Sequence, residues 1–417
     1  MKMRSLLMTV VLVLLVAITP VQAQVELYFV NSSVVQHPDK AAMEEIIAEF
    51  ERQNPDIKIV NVGNNPPWLK TVTLTAGGET PDITQLYPDD MVAAGELGIL
   101  EDLGPYLERE GEAFKESISP GFLPAGQYFG QQLALPFFGM TYSVLYNMEH
   151  FADAGVEVPQ TFDEMVSVSK KLTDGRKWGM TLVGSKAPKP SSSYGRLIPQ
   201  IMAFGATLAE REGDKWVAGF NNAQGVEAFT FLTDLVRKHK VVPPGVTDTS
   251  YNDARVAFAN GRTSMFFTSN NAIGQAISDN PDIAGKLGSF PYPNAKKYGS
   301  LASGTNVAIL KDSEHKEEAW RFIKFLLLPE NQEKFAKPTG RLPITVASKD
   351  ADFLVSDPAL EAYLDVLDYS VFYPPVPNLD EACTALLDAM QMAWLGRQTP
   401  EQAVAEAARK VEAIWNR

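Results

Sequence analysis

Side chains able to do covalent or metal chemistry are few in this chain. It has one cysteine, Cys383, and four scattered histidines among 417 residues. A lone cysteine excludes an internal disulfide framework, and no cysteine cluster exists to hold zinc or an iron–sulfur centre. The motifs G-x-S-x-G, G-x-G-x-x-G, P-loop and H-E-x-x-H are all missing from the sequence. Two S-x-x-K matches, Ser167 to Lys170 and Ser313 to Lys316, are short enough to arise by chance. Acids are abundant, so a pair at glycosidase spacing stays open, although a surplus of acids equally serves to solvate a surface. The net charge of −14 argues against a general nucleic-acid binder, which needs basic surface to displace phosphate counterions. Recognition is favoured over catalysis: no catalytic residue, metal site or cofactor is expected.

The chain does have aromatic residues beside short polar loops. Trp68 follows Asn64-Asn65-Pro66-Pro67, and Tyr87 precedes Pro88-Asp89-Asp90. Phe137-Phe138 precede Gly139-Met140-Thr141-Tyr142, and Tyr369 to Tyr373 leads into a Pro-rich stretch. A sugar ring has an apolar face of C–H bonds and an equator of hydroxyls. An aromatic plane flanked by Asn, Asp and Arg therefore suits it. Any one of these aromatics is also an ordinary core residue; their recurrence beside Asn/Asp loops points to a hydroxylated ligand.

The elements that must position these loops read as α/β. Val25 to Val30 alternates as a strand, Ala41 to Gln53 carries Met43, Ile46, Ile47 and Phe50 at helical spacing, and Ile57 to Val60 is a second strand. A helix over about Trp68 to Ala76 and a strand over Asp82 to Leu86 follow. Strands alternating with helices predict a mainly parallel sheet, with ligands beyond the carboxyl ends of its strands. A second block begins near Leu133 to Pro136 and Ser143 to Tyr146. Its helices run from Thr161 to Leu172, opened by a Thr-x-x-Glu capping box, and from Asn222 to His239. Further on come a helix at Ala254 to Asn260 and a strand at Thr263 to Thr268 that runs into a helix cap, Ser269-Asn270-Asn271. Asn306 to Leu310 reads as a strand, and Lys316 to Leu328 and Pro400 to Trp415 as helices. At this length, with 45% hydrophobic residues, two cores can form. The run Tyr373 to Pro377 reads as a rigid connector between them.

Met1 to Ala23 has the three parts of a secretory signal: Lys2 and Arg4, an apolar run from Leu6 to Ile18, and Val21-Gln22-Ala23 before the cut. The apolar run is shorter than the roughly 20 residues of a membrane span. No cysteine follows the cut, so a lipoprotein is not expected. Removing Lys2 and Arg4 takes the charge from −14 to −16. An exported, soluble, periplasmic protein is the expectation.

Six segments in order resemble the extracellular solute-binding proteins of bacterial ABC transporters, in the carbohydrate-binding group that includes maltose- and glycerol-3-phosphate-binding proteins. They are Phe50 to Lys58, Leu74 to Ile83, Leu135 to Glu164, Ala257 to Arg262, Glu318 to Phe325 and Thr339 to Pro343. The resemblance implies a type II two-lobe fold, each lobe a mainly parallel sheet flanked by helices, with the ligand cleft between them. Lobe 1 would be residues 24–136 and 299–346, and lobe 2 residues 137–298 and 347–417. A monomer that hands a mono- or oligosaccharide to membrane permease subunits is implied, with hinge closure as the mechanism. The family's contact positions fall on Asn31 and Ser32, then Tyr87, Asp89 and Asp90, then Phe138 and Met140. They continue at Ser269 and Asn270, at Ser303, Gly304 and Thr305, and at Arg341; Asn64 and Trp68 join them from the loop after the second strand. Arg341 leaves a sugar acid, sugar phosphate or glycerol-phosphate-type ligand open, and a salt bridge across the hinge is its structural alternative. A secreted glycan-degrading enzyme is the rival reading.

Overall fold

The computed structural model describes residues 24–417; the signal-peptide expectation for Met1 to Ala23 lies outside the described residues. Thirteen strands occur in it. The first three, β1 (Val25–Asn31), β2 (Ile57–Gly63) and β3 (Ile83–Leu86), alternate with helices Asp39–Gln53 and Pro67–Ala76. A small hairpin, β4 (Gln127–Tyr128) and β5 (Gln131–Gln132), leads into the long β6 (Leu135–Asn147). There follow β7 (Trp178–Thr181) and a ribbon of β8 (Glu210–Glu212) and β9 (Lys215–Val217). The last strands are β10 (Thr263–Ser269), β11 (Leu287–Phe290), β12 (Ser300–Ile309) and β13 (Ser370–Val371).

Nine of these form one sheet, in the order β2-β1-β3-β12-β6-β10-β7, with β11 beside β6 and β13 beside β12. The flanking pairs β1–β2, β1–β3 and β10–β7 are parallel, as is β12–β13, while β6 runs antiparallel to β12, β10 and β11, and β12 antiparallel to β3. Those two central strands are the ones that cross. The first half of β6 pairs with β12, and its second half pairs with β10 and β11.

Apolar side chains separate into cores on either side of this crossing. Phe29, Phe50, Ile83, Phe137, Trp320 and Phe322 pack together around β1 and β3. Val144, Met180, Tyr194, Phe229, Met265, Leu386 and Val411 form a second core around β7 and β10, with Phe258, Phe266, Ile273 and Tyr363 adjoining it. Each such side chain taken fully out of water contributes about 1.5–3 kcal/mol, so two halves can each be stable while the cleft between them stays polar. The run Tyr373 to Pro377 passes from Phe372, packed on the first core, to Val376 in the second.

Local signals were largely obeyed. Thr161 Oγ1 accepts from the Glu164 amide at 3.1 Å and Glu164 Oε2 accepts from the Thr161 amide at 3.3 Å, the expected capping box. Leu135 to Pro136 and Ser143 to Tyr146 belong to one strand, β6, which runs unbroken through Pro136 and Gly139. One expectation needs correction. Asn270 does not cap its helix with its side chain; Oδ1 accepts from the Thr141 amide at 2.9 Å and Nδ2 donates to the Gly340 carbonyl at 2.7 Å. Burial gave that amide longer-range backbone partners than a cap would.

Candidate functional site

A cavity of about 190 Å³ lies between the two cores, beside the crossing strands. From the side of β1 and β3 it is lined by Gln36, Asn65, Pro66, Tyr87 and Asp89. The opposite wall is built by the segment leading into helix Ser191–Met202 (Pro188, Lys189, Ser191, Ser192 and Arg196), with Tyr251, Ser269, Asn271 and Gln275 beside it. Met140, Tyr142 and Ser303 come from β6 and β12, and Arg341 and Tyr373 complete the lining. The floor is therefore the pair of strands shared by both halves.

Most residues of this wall have polar side chains, and many of these are oriented by partners behind them. The Tyr87 hydroxyl donates to Ser32 Oγ at 3.4 Å and lies 3.3 Å from Asn65 Oδ1. Burial raises the pKa values of Tyr87, Tyr142 and Tyr373, so each ring presents a neutral hydroxyl. Lys189 reaches across the cleft to Asp89 at 3.4 Å and sits 4.6 Å from the Tyr87 ring centroid. Burial opposes the Lys189 ammonium, but Asp89 and Asp90 outweigh it and raise its pKa. Tyr194 binds Asp89 Oδ2 at 3.1 Å and Asp380 Oδ1 at 2.9 Å. Asp90 accepts from the Tyr87 amide at 3.0 Å; burial, then the neighbouring Asp89, pushes its pKa up to about 7.

The match to a known family is decisive at this point: residues 35–333 fit the family model described as bacterial extracellular solute-binding protein. The chain belongs to the bacterial extracellular solute-binding protein family. A multiple sugar-binding protein of Streptococcus mutans is 23% identical over 73% of this chain and 72% of its own length. The sn-glycerol-3-phosphate-binding periplasmic protein of Pectobacterium atrosepticum is 24% identical over 88% of this chain and 86% of its own. A solute-binding protein of Thermotoga lettingae, solved with α-D-tagatose, superposes with a TM-score of 0.82 at 25% identity, covering 94% of this chain and 99% of its own. The fold is thus the two-lobe one of periplasmic sugar-binding proteins.

Within this solute-binding fold the anticipated residues divide. Tyr87, Asp89, Met140, Ser269, Ser303 and Arg341 line the cleft. The others are not among its lining residues. Ser32 stands behind Tyr87. Asn31 is fully buried, its Nδ2 donating to Asn61 Oδ1 at 2.9 Å. Asn64 closes its own loop, its Nδ2 donating to the Pro66 carbonyl at 2.6 Å. Trp68 is packed with Leu86, Met91 and Leu100 in a satellite of the first core. Asp90 holds the turn at Tyr87, and Asn270 joins backbone segments. Phe138 stacks on Phe335 at 5.4 Å. Thr305 is buried in β12, and Gly304 sits opposite Gly139, where a Cβ would strike the Phe138 carbonyl.

Arg341 lines the cleft with its charge already matched. Nη2 and Nε donate to Asp39 Oδ2 at 2.6 and 3.1 Å, and the guanidinium lies 4.1 Å from the Phe138 ring centroid. Burial raises the pKa of the Asp39 carboxyl above its ordinary value, and Arg341 offsets only part of that rise. Of the two roles open to Arg341, the structure supplies a salt bridge.

Sequence reasoning passed over Lys189, Ser191, Ser192, Arg196, Tyr251 and Gln275. A signal existed: Lys189-Pro190-Ser191-Ser192-Ser193 is a polar loop between a strand and a helix, the same place in the second half that was read as ligand-facing in the first. Asp89 is the single carboxylate lining the cavity, and no cluster of three or more His, Cys, Asp or Glu suited to a metal occurs among the described residues. No helix among them is long and apolar enough to cross a membrane.

Proposed function

We propose that this protein is the periplasmic substrate-binding component of an ABC importer, that it captures a carbohydrate of about one or two rings, and that it delivers it to membrane permease subunits. The carrying observation is the cleft itself: tyrosine rings and fixed amide, hydroxyl and cationic groups from both halves converge on one small cavity whose floor is β6 and β12. A cavity of about 190 Å³ is small against the several hundred Å³ usual for drug-sized ligands. Its polar lining residues suit a hydroxylated guest.

The mechanism is population shift. The ligand must touch both halves, since only differential affinity for the closed form can favour it. We assign lobe 1 to residues 24–136 and 299–346 and lobe 2 to residues 137–298 and 347–417, with export through Met1 to Ala23 and function as a monomer. Capture proceeds without a covalent step; the single acidic side chain on the wall supports this, since glycoside hydrolysis ordinarily uses two carboxylates.

A thermal-shift screen over sugars, polyols and sugar phosphates tests the reading. A ligand at a hundred times its Kd adds about 2.7 kcal/mol of stability. A family of sugars that raises the melting temperature without being consumed is expected. Product formation from a glycan would replace this reading with the enzymatic one.

A further inference from the structure

Three cations line the cleft: Lys189, Arg196 and Arg341. Two have carboxylate partners, Asp89 and Asp39. Arg196 has no carboxylate within ion-pair distance among the described residues, although it is only 6% exposed. Its Nε donates to Thr268 Oγ1 at 3.2 Å and its Nη1 to the Ser192 carbonyl at 2.6 Å, and the guanidinium lies 3.9 Å from the Tyr251 ring centroid. These contacts fix the plane and leave Nη2 without a hydrogen-bond partner among the described residues. Buried charges are ordinarily paired, because desolvating a lone one is costly.

The surrounding groups are biased the same way. Gln275 Oε1 accepts from Tyr251 at 2.5 Å and from Arg255 Nη1 at 3.3 Å. Arginine can only donate, so the oxygen is turned inward and the Nε2 donors are left for the cleft. Asn271 Oδ1 accepts from Ser269 Oγ at 2.5 Å, which leaves Nδ2 likewise. Helix Ser191–Met202 points its N-terminus at the cavity and has no acidic residue in its first turn; that end of a helix favours negative charge. In a chain of net charge −14, this one cleft is cationic and rich in donors.

We propose that the ligand is a carbohydrate bearing an oxyanion, and that Arg196 binds its charged group. This rests on the reading of the cleft as a sugar site. Carboxylate and phosphate share the required chemistry, a set of acceptor oxygens matching the guanidinium edge. The role given to Arg341 by the sequence passes to Arg196.

Matched pairs test it by calorimetric titration and thermal shift: D-glucuronate with D-glucose, D-galacturonate with D-galactose, glucose 6-phosphate with glucose, and glycerol 3-phosphate with glycerol. At least one acid should bind about tenfold or more tighter than its neutral parent, as expected for a hydrogen bond to a charged group. Whether uronates or phosphates bind identifies the source of the anion. The preference should vanish in R196Q and persist in part in R196K, which keeps the charge if R196Q folds poorly. Neutral parents binding as tightly as the acids, or R196Q keeping the preference, overturns the assignment and leaves the sugar reading standing. If no carbohydrate, charged or neutral, shifts the melting temperature, both readings fall.

Discussion

Lys189 Nζ lies 3.4 Å from Asp89 Oδ2 across the mouth of the cleft, joining the loop after β3 to the segment that starts helix Ser191–Met202. The ion pair is partly shielded, with side-chain exposures of 23% and 10%, and Tyr194 steadies the carboxylate from the second half. It ties the two halves with no ligand involved, so it sets how much of closure the ligand must supply.

Replacing Lys189 by Gln should therefore open the resting protein. We expect a larger radius of gyration in small-angle scattering without ligand and affinity lowered by about tenfold, a loss of about 1–2 kcal/mol for a partly buried pair. Scattering curves identical to wild type would deny the pair any part in closure.

The Asp39–Arg341 pair should behave as structure. Both side chains are at most 5% exposed, and Asp39 Oδ1 has no hydrogen-bond partner among the described residues. Arg341→Gln leaves a buried carboxylate alone, which costs about 3–5 kcal/mol in urea unfolding. The double variant D39N/R341Q should recover much of that loss. A single variant as stable as wild type would contradict the burial argument.

Asp90 should make stability depend on pH. The folded protein keeps this proton up to about pH 7, whereas the unfolded chain releases it near the ordinary 3.8. Between those values the folded state binds more protons, so Asp90's contribution falls as pH rises through that window. Melting temperatures of wild type and D90N should therefore diverge between pH 4 and 7, with the variant gaining relative to wild type at the upper end. A constant difference would show that the carboxyl is ionised throughout.

Trp68 should matter to the fold and not to the ligand. It is 7% exposed among Leu86, Met91 and Leu100. Trp68→Ala should cost about 3–5 kcal/mol, while Trp68→Phe should leave affinity unchanged. A large loss of affinity in the Phe variant would return the ring to the cleft.

Much of the fold was written in local pattern. Alternation in Val25 to Val30, helical spacing of Met43, Ile46 and Phe50, and the Thr161–Glu164 box each act within a few residues, and each formed as read. What was not read were features settled at long range. The full length of β6 depends on β12 alongside, which pairs with it at both Pro136 and Gly139. Helix Leu379–Trp394 went unread although Leu379, Cys383, Leu386, Met390 and Trp394 follow helical spacing.

By itself, then, the sequence determined the class of molecule: a two-cored α/β chain poor in reactive groups and rich in aromatic and polar loops. Tertiary structure decided which of those loops meet. Asn31, Asn64, Trp68 and Asn270 carry suitable chemistry but spend it on their own backbone, loops and core, whereas Lys189, Arg196, Tyr251 and Gln275 come together from segments up to 86 residues apart. Side-chain type is local, but whether a donor faces a cleft or a buried carbonyl depends on what the rest of the chain packs against it.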